Sequence, residues 1–482
     1  MVGTRVSLSP RMVQCGAVYI TREQHSFTGM MMSPRLPVHV PLGSEPLSIL
    51  QSFTAARSNI LSIIPKQATQ ERMISGRTVL PWHMVMDPKG NREVLLEKLE
   101  NYPKSDITKD ILRPAIGESL FVAEGKDWRW QRRASAPAFS PRNIAQLTPI
   151  MTRAAEASAQ RISAAARPGR ALNLFDEMVA TTFDVIADVT FSGDNMFDQQ
   201  SVHDAIDRYI EQAARVSILD ILGLPTWVPR PGRMMAMPAM RSMKDQADAA
   251  IERRRTVPDA AQPDLLSLLV DAADDKTGRT MTTGELRDNL LTFIVAGHET
   301  TALTLSWALY LCAFDPEVQD KARAQAQDVL GDRAATAEDL PQLGYIRQII
   351  DETLRLYPAG GFLSRTAMAD DMLLGNPVKA RDTVMLPVYA LHRHRDLWEE
   401  PDAFNPDRFA DPKAIDRYAY LPFGDGPRIC IGASFALQEA VIILATLLAR
   451  FRFTAVPGRT PEPVMILTLR PEGGVWLTVD PA

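Results

Sequence analysis

The stretch Phe423-Gly424-Asp425-Gly426-Pro427-Arg428-Ile429-Cys430-Ile431-Gly432 places three glycines around one cysteine, directly before an apolar run from Ala433 to Leu448. Closely spaced glycines let a backbone turn sharply and pass close to something flat or bulky. The apolar run predicts a helix that is buried on nearly every face. Cys430 would lie where that helix begins, and there the amide N–H groups and the helix dipole stabilise a thiolate. Such a thiolate is a good ligand for a soft metal ion.

The cysteine alone favours a simpler interpretation, because most lone cysteines are small buried hydrophobes. The spacing favours the ligand. The pattern Phe-Gly-x-Gly-x-Arg-x-Cys-x-Gly resembles the haem-ligand signature of the cytochrome P450 family at every defined position. The resemblance implies that Cys430 is the thiolate ligand of haem b iron, in a loop that includes Phe423, Gly424 and Gly432. A thiolate ligand pushes electron density onto iron and favours O–O cleavage.

Composition is consistent with a soluble globular protein: 482 residues, 46% hydrophobic and 23% charged, are ample for a large core. The net charge of -5 argues against a nucleic-acid partner. Three widely separated cysteines imply no disulfide framework and a reducing, cytoplasmic compartment. We see no secretory signal and no run of 18 apolar residues, so no membrane anchor is expected. The chain thus resembles the soluble, bacterial-type members of the family, and we expect a monomer.

Length alone suggests two or three domains, but no linker separates independent units. We predict an irregular tail over residues 1–45 and one domain over residues 46–482. Helical patterns dominate, and the strand-like pieces are short, at Thr383 to Val388 and Met465 to Leu469. Leu224 to Arg233 and Thr256 to Asp264 are predicted loops. The fold class is therefore mainly α with a minor β part. The family fold is likewise a single such domain, with a long central helix over the haem and the cysteine loop beneath it.

Trp128 and Arg132 are four residues apart, so a helix places both on one face, where each can donate to a carboxylate. A basic surface turn with one inward tryptophan is the alternative from the residues alone. The Trp-x-x-x-Arg pattern resembles the family helix that binds a haem propionate. The resemblance also implies propionate binding by Arg365 and Arg428, although Arg365 by itself would suit a solvated surface.

Residues Thr282 to Phe314 are predicted to form one long helix. Thr282 and Glu285 form a capping-box pattern at its start, and Asp315-Pro316 ends it. At about 1.5 Å per residue the helix is about 50 Å long, enough to cross a whole domain.

The middle of this helix reads Ala296-Gly297-His298-Glu299-Thr300-Thr301. Threonine hydroxyls can bond back to helix carbonyls and bend the axis. A packing glycine beside a buried ion pair is the alternative. The whole pattern resembles the oxygen-binding signature of the family. The resemblance implies that Thr300 relays protons, that Glu299 supplies them, and that Ala296 and Gly297 leave room above the haem. His298 is expected to point away from it.

Glu352 and Arg355 place an acid and a base three residues apart on a helix, which is common by chance, as Glu252 and Arg255 show. Leu356-Tyr357-Pro358 and Phe404-Asn405-Pro406-Asp407-Arg408-Phe409 follow, and both resemble family segments in order and position. The resemblance implies that Arg408 joins Glu352 and Arg355 in a buried charge network. Its expected role is folding and haem retention.

The family pocket corresponds here to Ile107 to Phe121, Ile218 to Leu224, the central helix, the turn Ala359-Gly360-Gly361-Phe362 after Pro358, and the C-terminal loop Ile466 to Leu469. Its predicted substrate-contacting residues are Phe293, Ala359, Gly360, Phe362 and Leu467. Most of these positions are apolar, which favours a hydrophobic small-molecule substrate. An apolar surface does not choose among fatty acids, terpenes, steroids and alkoxyarenes.

The resemblance implies a monooxygenase that inserts one atom of dioxygen into a C–H bond, or dealkylates a heteroatom by the same route. Because the sequence shows no flavin or iron–sulfur module, a ferredoxin and a ferredoxin reductase are the expected electron donors, docking near Arg129 and Arg133. Two alternatives stay open: a peroxide-using or isomerising member of the family, and a haem carrier or sensor. Hydrolase and zinc-enzyme motifs such as Gly-x-Ser-x-Gly, His-Glu-x-x-His and Cys-x-x-Cys are absent from the sequence.

Overall fold

The computed structural model describes residues 36–43, 49–77, 81–191, 231–256, 264–273 and 277–481. Its helices are, in chain order, α1 (Ile49–Ser58), α2 (Pro88–Arg92), α3 (Asp106–Ile116), α4 (Gly125–Ser135), α5 (Pro141–Ala165), α6 (Leu174–Phe191), α7 (Pro231–Thr256), α8 (Leu265–Val270), α9 (Thr283–Phe314), α10 (Pro316–Leu330), α11 (Gly344–Leu356), α12 (Val388–Leu391) and α13 (Ala433–Arg450). Its strands are β1 (Met73–Arg77), β2 (Pro81–Val85), β3 (Ala171–Asn173), β4 (Leu363–Thr366), β5 (Asp371–Leu373), β6 (Asn376–Val378), β7 (Thr383–Leu386), β8 (Phe451–Ala455), β9 (Glu462–Met465), β10 (Leu469–Glu472) and β11 (Trp476–Pro481).

Helix α9 is the long central helix, and its predicted ends are confirmed. The Thr282 hydroxyl accepts from the Glu285 N–H, and the Glu285 carboxylate accepts from the Thr282 N–H at 3.0 Å, which completes a capping box. Asp315 ends the helix, and Pro316 begins α10. Helices α6, α7, α11 and α13 pack around α9, so its middle lies in the core of the molecule.

Helix α6 lies very close to the middle of α9. A Cβ at Gly297 would lie 3.1 Å from the Ile186 side chain, which is tighter than ordinary van der Waals contact. The Thr182 hydroxyl also donates to the His298 carbonyl at 2.7 Å. Gly297 therefore serves the close packing of two helices, in addition to any role toward the cavity.

Helix α13 is buried as predicted, between α5, α9, α10 and α11. Among the described helices it is the one that is long and apolar enough to cross a membrane by length and composition alone. Because 67% of it is buried inside the protein, it has the character of a core helix.

Glu439 of α13 is a buried acid, 2% exposed, with the Thr301 hydroxyl as its hydrogen-bond partner. Burial raises the pKa of this carboxyl from 4.5 to about 8. Between these values the unfolded chain gives up the proton and the folded chain keeps it, so stability falls as pH rises from 4.5 to 8. The difference in unfolding free energy between Glu439→Gln and the wild type should therefore change by about 3 to 4 kcal/mol, in favour of the variant, as the pH rises from 5 to 8. Urea unfolding at both pH values measures this, and a gain that does not depend on pH would contradict it.

The described residues form four small sheets, with strand orders β1-β2-β7-β4, β9-β10, β3-β11-β8 and β5-β6. In the first sheet, β2 and β7 are parallel and the other pairs are antiparallel. The mainly helical class with a minor β part is confirmed by this architecture.

Two predicted strands were wrong at their ends. The strand from Thr383 stops at Leu386, because Pro387 has no N–H to donate and helix α12 begins directly after it. The run from Met465 to Leu469 is the turn of a hairpin, in which β9 ends at Met465 and β10 begins opposite it at Leu469. The sequence Met-Ile-Leu-Thr-Leu contains no glycine, asparagine or proline that would mark that turn.

The predicted loops lie largely outside the described residues, at 224–230 and 257–263. The first was wrong at its end, because Pro231 already begins α7, and proline suits the first turn of a helix.

Residues 36–43 pack against the domain. The Val38 N–H donates to the Tyr310 hydroxyl at 3.1 Å, the Tyr357 hydroxyl donates to the Val38 carbonyl at 2.6 Å, and the Val40 N–H donates to the Tyr389 hydroxyl at 2.9 Å. The rest of the predicted tail, residues 1–35, lies outside the described residues, so the division between 1–45 and 46–482 stays a prediction.

Candidate active site

A cavity of about 1310 Å³ lies between α9 and the loop 423–432. It exceeds the usual range for one small-molecule site, about 300–1,000 Å³, so it can hold a cofactor and a second molecule together. The predicted catalytic, cofactor and pocket residues all line it: Trp128, Arg132, Phe293, Ala296, Gly297, Glu299, Thr300, Ala359, Gly360, Phe362, Arg365, Phe423, Gly424, Arg428, Cys430, Gly432 and Leu467.

Cys430 lies on the floor of this cavity, two residues before the cap of α13 at Gly432. Its N–H donates to the Phe423 carbonyl at 2.9 Å, which closes the loop on itself. Burial raises the pKa of the Cys430 thiol, whereas the Gly432 N–H and the positive charges of Arg132 and Lys104 oppose that rise. The thiol is open toward the cavity, the direction from which a metal ion would reach it.

Gly426 lets the cysteine loop pass directly against the backbone of Leu95. Its φ is +72°, and a Cβ there would overlap the backbone carbonyl of Leu95, which belongs to a π-helical turn, Glu93–Glu97. We expect Gly426→Ala to destabilise the fold by about 1 to 3 kcal/mol beyond the φ strain alone. Gly458→Ala is the matched control, because its φ is +75° and no atom lies within 4 Å of its Cβ position. Thermal unfolding of both variants measures the difference, and equal losses would contradict the overlap.

Four cationic side chains line one side of the cavity: Lys104, Arg132, Arg365 and Arg428. Burial, with the neighbouring Arg428, lowers the pKa of Arg365 to about 10. Burial, with Arg365 and Arg428, also holds the pKa of Lys104 well below its usual range. Glu124 pairs with Arg428 and accepts from the Lys104 N–H at 3.0 Å. Among the described residues, Glu124 is the carboxylate that pairs with this cluster, and it does not balance the three guanidinium groups, so an anionic group would suit the site.

Arg365 shows the imbalance at the level of one atom. The residue is 5% exposed, its Nη1 donates to the Ser364 carbonyl at 3.1 Å, and its Nε has no hydrogen-bond partner among the described residues. A buried guanidinium nitrogen without an acceptor is unfavourable, so this position fits a ligand that brings carboxylate oxygens.

Trp128 and Arg132 lie on the same face of α4, as predicted, and both face the cavity. The Arg428 guanidinium lies 4.3 Å from the centre of the Trp128 ring, a cation–π distance. Three positions that are far apart in the sequence, on α4, on β4 and in the cysteine loop, thus meet at one edge of the cavity.

Thr300 and Glu299 line the opposite, α9 side. The Thr300 hydroxyl donates to the Ala296 carbonyl at 2.7 Å, within the helix. Glu299 is 3% exposed, and its Oε1 accepts from the Thr468 hydroxyl at 2.8 Å and from Arg470 Nε at 2.5 Å. His298 turns the other way: it is buried, and its Nδ1 lies 2.9 Å from the Ile294 carbonyl.

Glu352, Arg355 and Arg408 do meet, behind the cavity rather than in its wall. Arg355 Nε and Nη2 lie 2.6 and 2.8 Å from the two carboxylate oxygens of Glu352, and Arg408 Nε lies 3.3 Å from Oε1. Glu352 and Arg355 are fully buried. Their position between α11 and the loop that leads to Arg408 suits a structural role.

Sequence reasoning missed Lys104, Glu124 and Arg470, and it placed Thr468 in a pocket loop without its bond to Glu299. No local pattern marks them, since each is a single polar residue that long-range pairing brings to the site. Of the predicted pocket segments, Ile107, Ile111, Leu112, Ile116, Leu120 and Phe121 line the cavity, whereas Leu469 is buried behind it. Ile218 to Leu224 lie outside the described residues.

Comparisons with known proteins agree with this geometry. The family model for Cytochrome P450 matches residues 77–478. The cyclooctat-9-en-7-ol 5-monooxygenase of Streptomyces melanosporofaciens is 36% identical over 386 residues, covering 78% of this chain and 81% of that protein. Cytochrome P450 4F3 of Homo sapiens is 32% identical over 432 residues, covering 83% and 82%. The crystal structure of the cytochrome P450DA heme domain superposes with a TM-score of 0.77 at 26% identity, covering 90% of this chain and 93% of that one.

The matched residues include the cysteine loop, the cationic side chains that line the cavity, and the central helix. The sequence motifs, the fold and the family comparison therefore identify the same family. The chain belongs to the cytochrome P450 family, and it is a haem-thiolate monooxygenase whose cofactor is haem b.

Proposed function

We propose that this enzyme hydroxylates or oxidatively dealkylates a hydrophobic small molecule, using the site between Cys430 and α9. One observation carries the proposal: Cys430 and the pair Glu299 and Thr300 line the same cavity, whose volume is about 1310 Å³. A thiolate on the floor and a proton-handling pair in the wall are the two protein elements that dioxygen activation needs.

The residues present fit haem b. Cys430 would ligate the iron, and Arg132, Arg365, Arg428 and Trp128 would donate to the two propionates. The unpartnered Nε of Arg365 and the excess of positive charge are the observations that support this assignment. Lys104 adds a further donor that lines the same edge. Phe423, Gly424 and Gly432 would contact the haem from the cysteine loop, and Ala296 and Gly297 would leave space on the α9 side.

Bound haem supplies the centre that holds and activates dioxygen, and thiolate ligation favours O–O cleavage. The protein must deliver two protons to that side of the cavity. Thr300 accepts a proton and passes its own onward, and Glu299, next to it on α9, replaces that proton from solvent. Both residues line the cavity, so the proton path within the protein is short.

The substrate is hydrophobic, because the cavity wall is made largely of aliphatic and aromatic side chains, among them Ile111, Phe293, Phe362 and Leu467. The name of the Streptomyces melanosporofaciens relative describes oxygenation of cyclooctat-9-en-7-ol. We place the substrate of this enzyme in the same broad class, a small molecule with little polar surface.

Electrons come from separate proteins, a ferredoxin and its reductase. Arg129 and Arg133 are exposed on α4, the helix that also carries Trp128 and Arg132 to the cavity, and a basic surface there suits an acidic ferredoxin. Arg129 is paired with Glu100, so a partner carboxylate would compete for it. We assign the enzyme to the cytoplasm and expect it to act as a monomer.

Thr300→Ala tests the proton path. With a ferredoxin, its reductase and a compound that shifts the haem spin state, we expect oxygen consumption to continue while product per oxygen falls by up to about 10²-fold. The missing product should appear as hydrogen peroxide. Thr304→Ala is the matched control, because Thr304 lies one turn further along α9 and makes the same bond to a carbonyl four residues back, at 2.9 Å. Unchanged product formation in Thr300→Ala would refute the relay.

A further inference from the structure

The C-terminal hairpin holds the carboxylate of Glu299. Thr468 Oγ1 and Arg470 Nε both donate to Glu299 Oε1, at 2.8 and 2.5 Å. Thr468 is the last residue of the turn and Arg470 lies in β10, and the two donors meet at one oxygen of Glu299. Neither residue belongs to the oxygen-binding signature on α9.

The hairpin is fixed at the residue between them. The Leu469 N–H donates to the Ala359 carbonyl at 3.1 Å, and its own carbonyl accepts from Trp307 Nε1 at 3.0 Å. Leu469 and Trp307 are fully buried. Strand β10 is therefore anchored to α9 at Leu469, and Arg470 follows that anchor directly.

The turn that precedes the anchor faces the cavity. Ile466, Leu467 and Thr468 line it, and Arg470 does not. Thr468 thus has two roles at once, as part of the cavity wall and as a donor to Glu299. A hydrophobic molecule that presses on Ile466 or Leu467 acts on the residues joined to Thr468.

We propose that Thr468 is a positioning residue that couples filling of the cavity to proton delivery by Glu299. Together, Thr468 and Arg470 hold Oε1 against the hairpin. When a hydrophobic substrate displaces the turn 466–468, Oε1 loses the Thr468 bond, and the carboxylate, still tethered by Arg470, turns toward Thr300. The released carboxylate takes up a proton from solvent and gives it to Thr300 as Thr300 passes its own proton into the cavity. Glu299 thereby returns to its ionised form, and no electron moves in this step.

The size of the effect follows from the bond that is lost. A hydrogen bond to a charged group changes an equilibrium by roughly 10- to 100-fold. A mutation that removes the Thr468 hydroxyl should free the Glu299 carboxylate from the hairpin to a similar extent, even without substrate. The inference rests on the proposed proton role of Glu299 and Thr300.

Infrared difference spectra of the ferric holoenzyme test the release without turnover. Thr468→Val keeps the side-chain shape and removes the donor, so its spectrum minus that of the wild type should show a shifted carboxylate band. The same subtraction in a Glu299→Gln background should lose that band. Leu467→Trp, which presses on the turn from inside the cavity, should produce the band, and Thr468→Ser should not. Absence of the band from both Thr468→Val and Leu467→Trp would overturn the proposal.

Oxygen consumption without substrate gives the second readout. We expect about a tenfold rise in Thr468→Val, wild-type rates in Thr468→Ser, and no rise in the Glu299→Gln and Thr468→Val double variant. A purely structural role would lower the melting temperature of Thr468→Val and leave this rate unchanged. If Thr300→Ala keeps full coupling, the proposed proton path fails. If Thr300→Ala uncouples but Thr468→Val behaves as wild type in both readouts, only the coupling through Thr468 fails.

Discussion

Replacing Cys430 with serine should abolish the strongly red-shifted Soret band of the dithionite-reduced protein under carbon monoxide. That band depends on a thiolate bound to iron, and Cys430 is the cysteine that lines the cavity in the described structure. A serine hydroxyl is a weak ligand that does not ionise near neutral pH, so the electron push of the thiolate is lost with it. We expect monooxygenase activity to fall below detection in the same variant.

Cys312→Ala is the matched control. Cys312 is also a free cysteine, but it is fully buried on α9, and burial raises the pKa of its thiol to about 12. Its replacement should leave the band in place. A red-shifted band that survives in Cys430→Ser, or a wild-type band at the position of histidine-ligated haem, would remove Cys430 from the iron.

The elements that the sequence predicted best are those whose ends are coded locally. The bounds of α9 follow from the capping box at Thr282 and from Asp315-Pro316, and the structure ends the helix at those residues. The wrong ends have a physical reason as well. The turn at residues 466–468 is Ile-Leu-Thr and lines a cavity, so it carries none of the glycine or asparagine that usually marks a hairpin.

The site residues likewise divide into those that a local motif marks and those that only long-range pairing brings together. Motif residues such as Cys430 and Thr300 were predicted because their neighbours along the chain match the remaining positions of the same family signature. Lys104 and Arg470 were not, because their roles arise only when distant segments come together: Lys104 meets Arg365 through an isolated β-bridge, and Arg470 meets Glu299 through the C-terminal hairpin. Charge balance in three dimensions, which one-dimensional patterns do not contain, is what identifies them.

Removing the charge of Glu352 should destabilise the fold by about 3 to 5 kcal/mol, the second large effect that we expect. Glu352 is fully buried and accepts two hydrogen bonds from Arg355, one from Arg408 Nε at 3.3 Å and one from the Asn405 N–H at 2.9 Å. In Glu352→Gln the Arg355 guanidinium stays buried with carbonyl acceptors and no carboxylate. A buried cation without its counter-charge accounts for most of the expected loss.

The surface pair of Glu252 and Arg255 separates burial from sequence spacing. It has the same three-residue spacing and a distance of 3.3 Å, but the Glu252 side chain is 59% exposed, so Glu252→Gln should change stability by less than about 1 kcal/mol. Urea unfolding of both variants compares them directly.

Because the Asn405 N–H ties Glu352 to the segment that leads toward the cysteine loop, Glu352→Gln should also release haem faster to an excess of apomyoglobin. Equal, small losses in the two variants would show that the buried network does not hold this part of the fold together, and a haem release rate that matches the wild type would confine its role to stability.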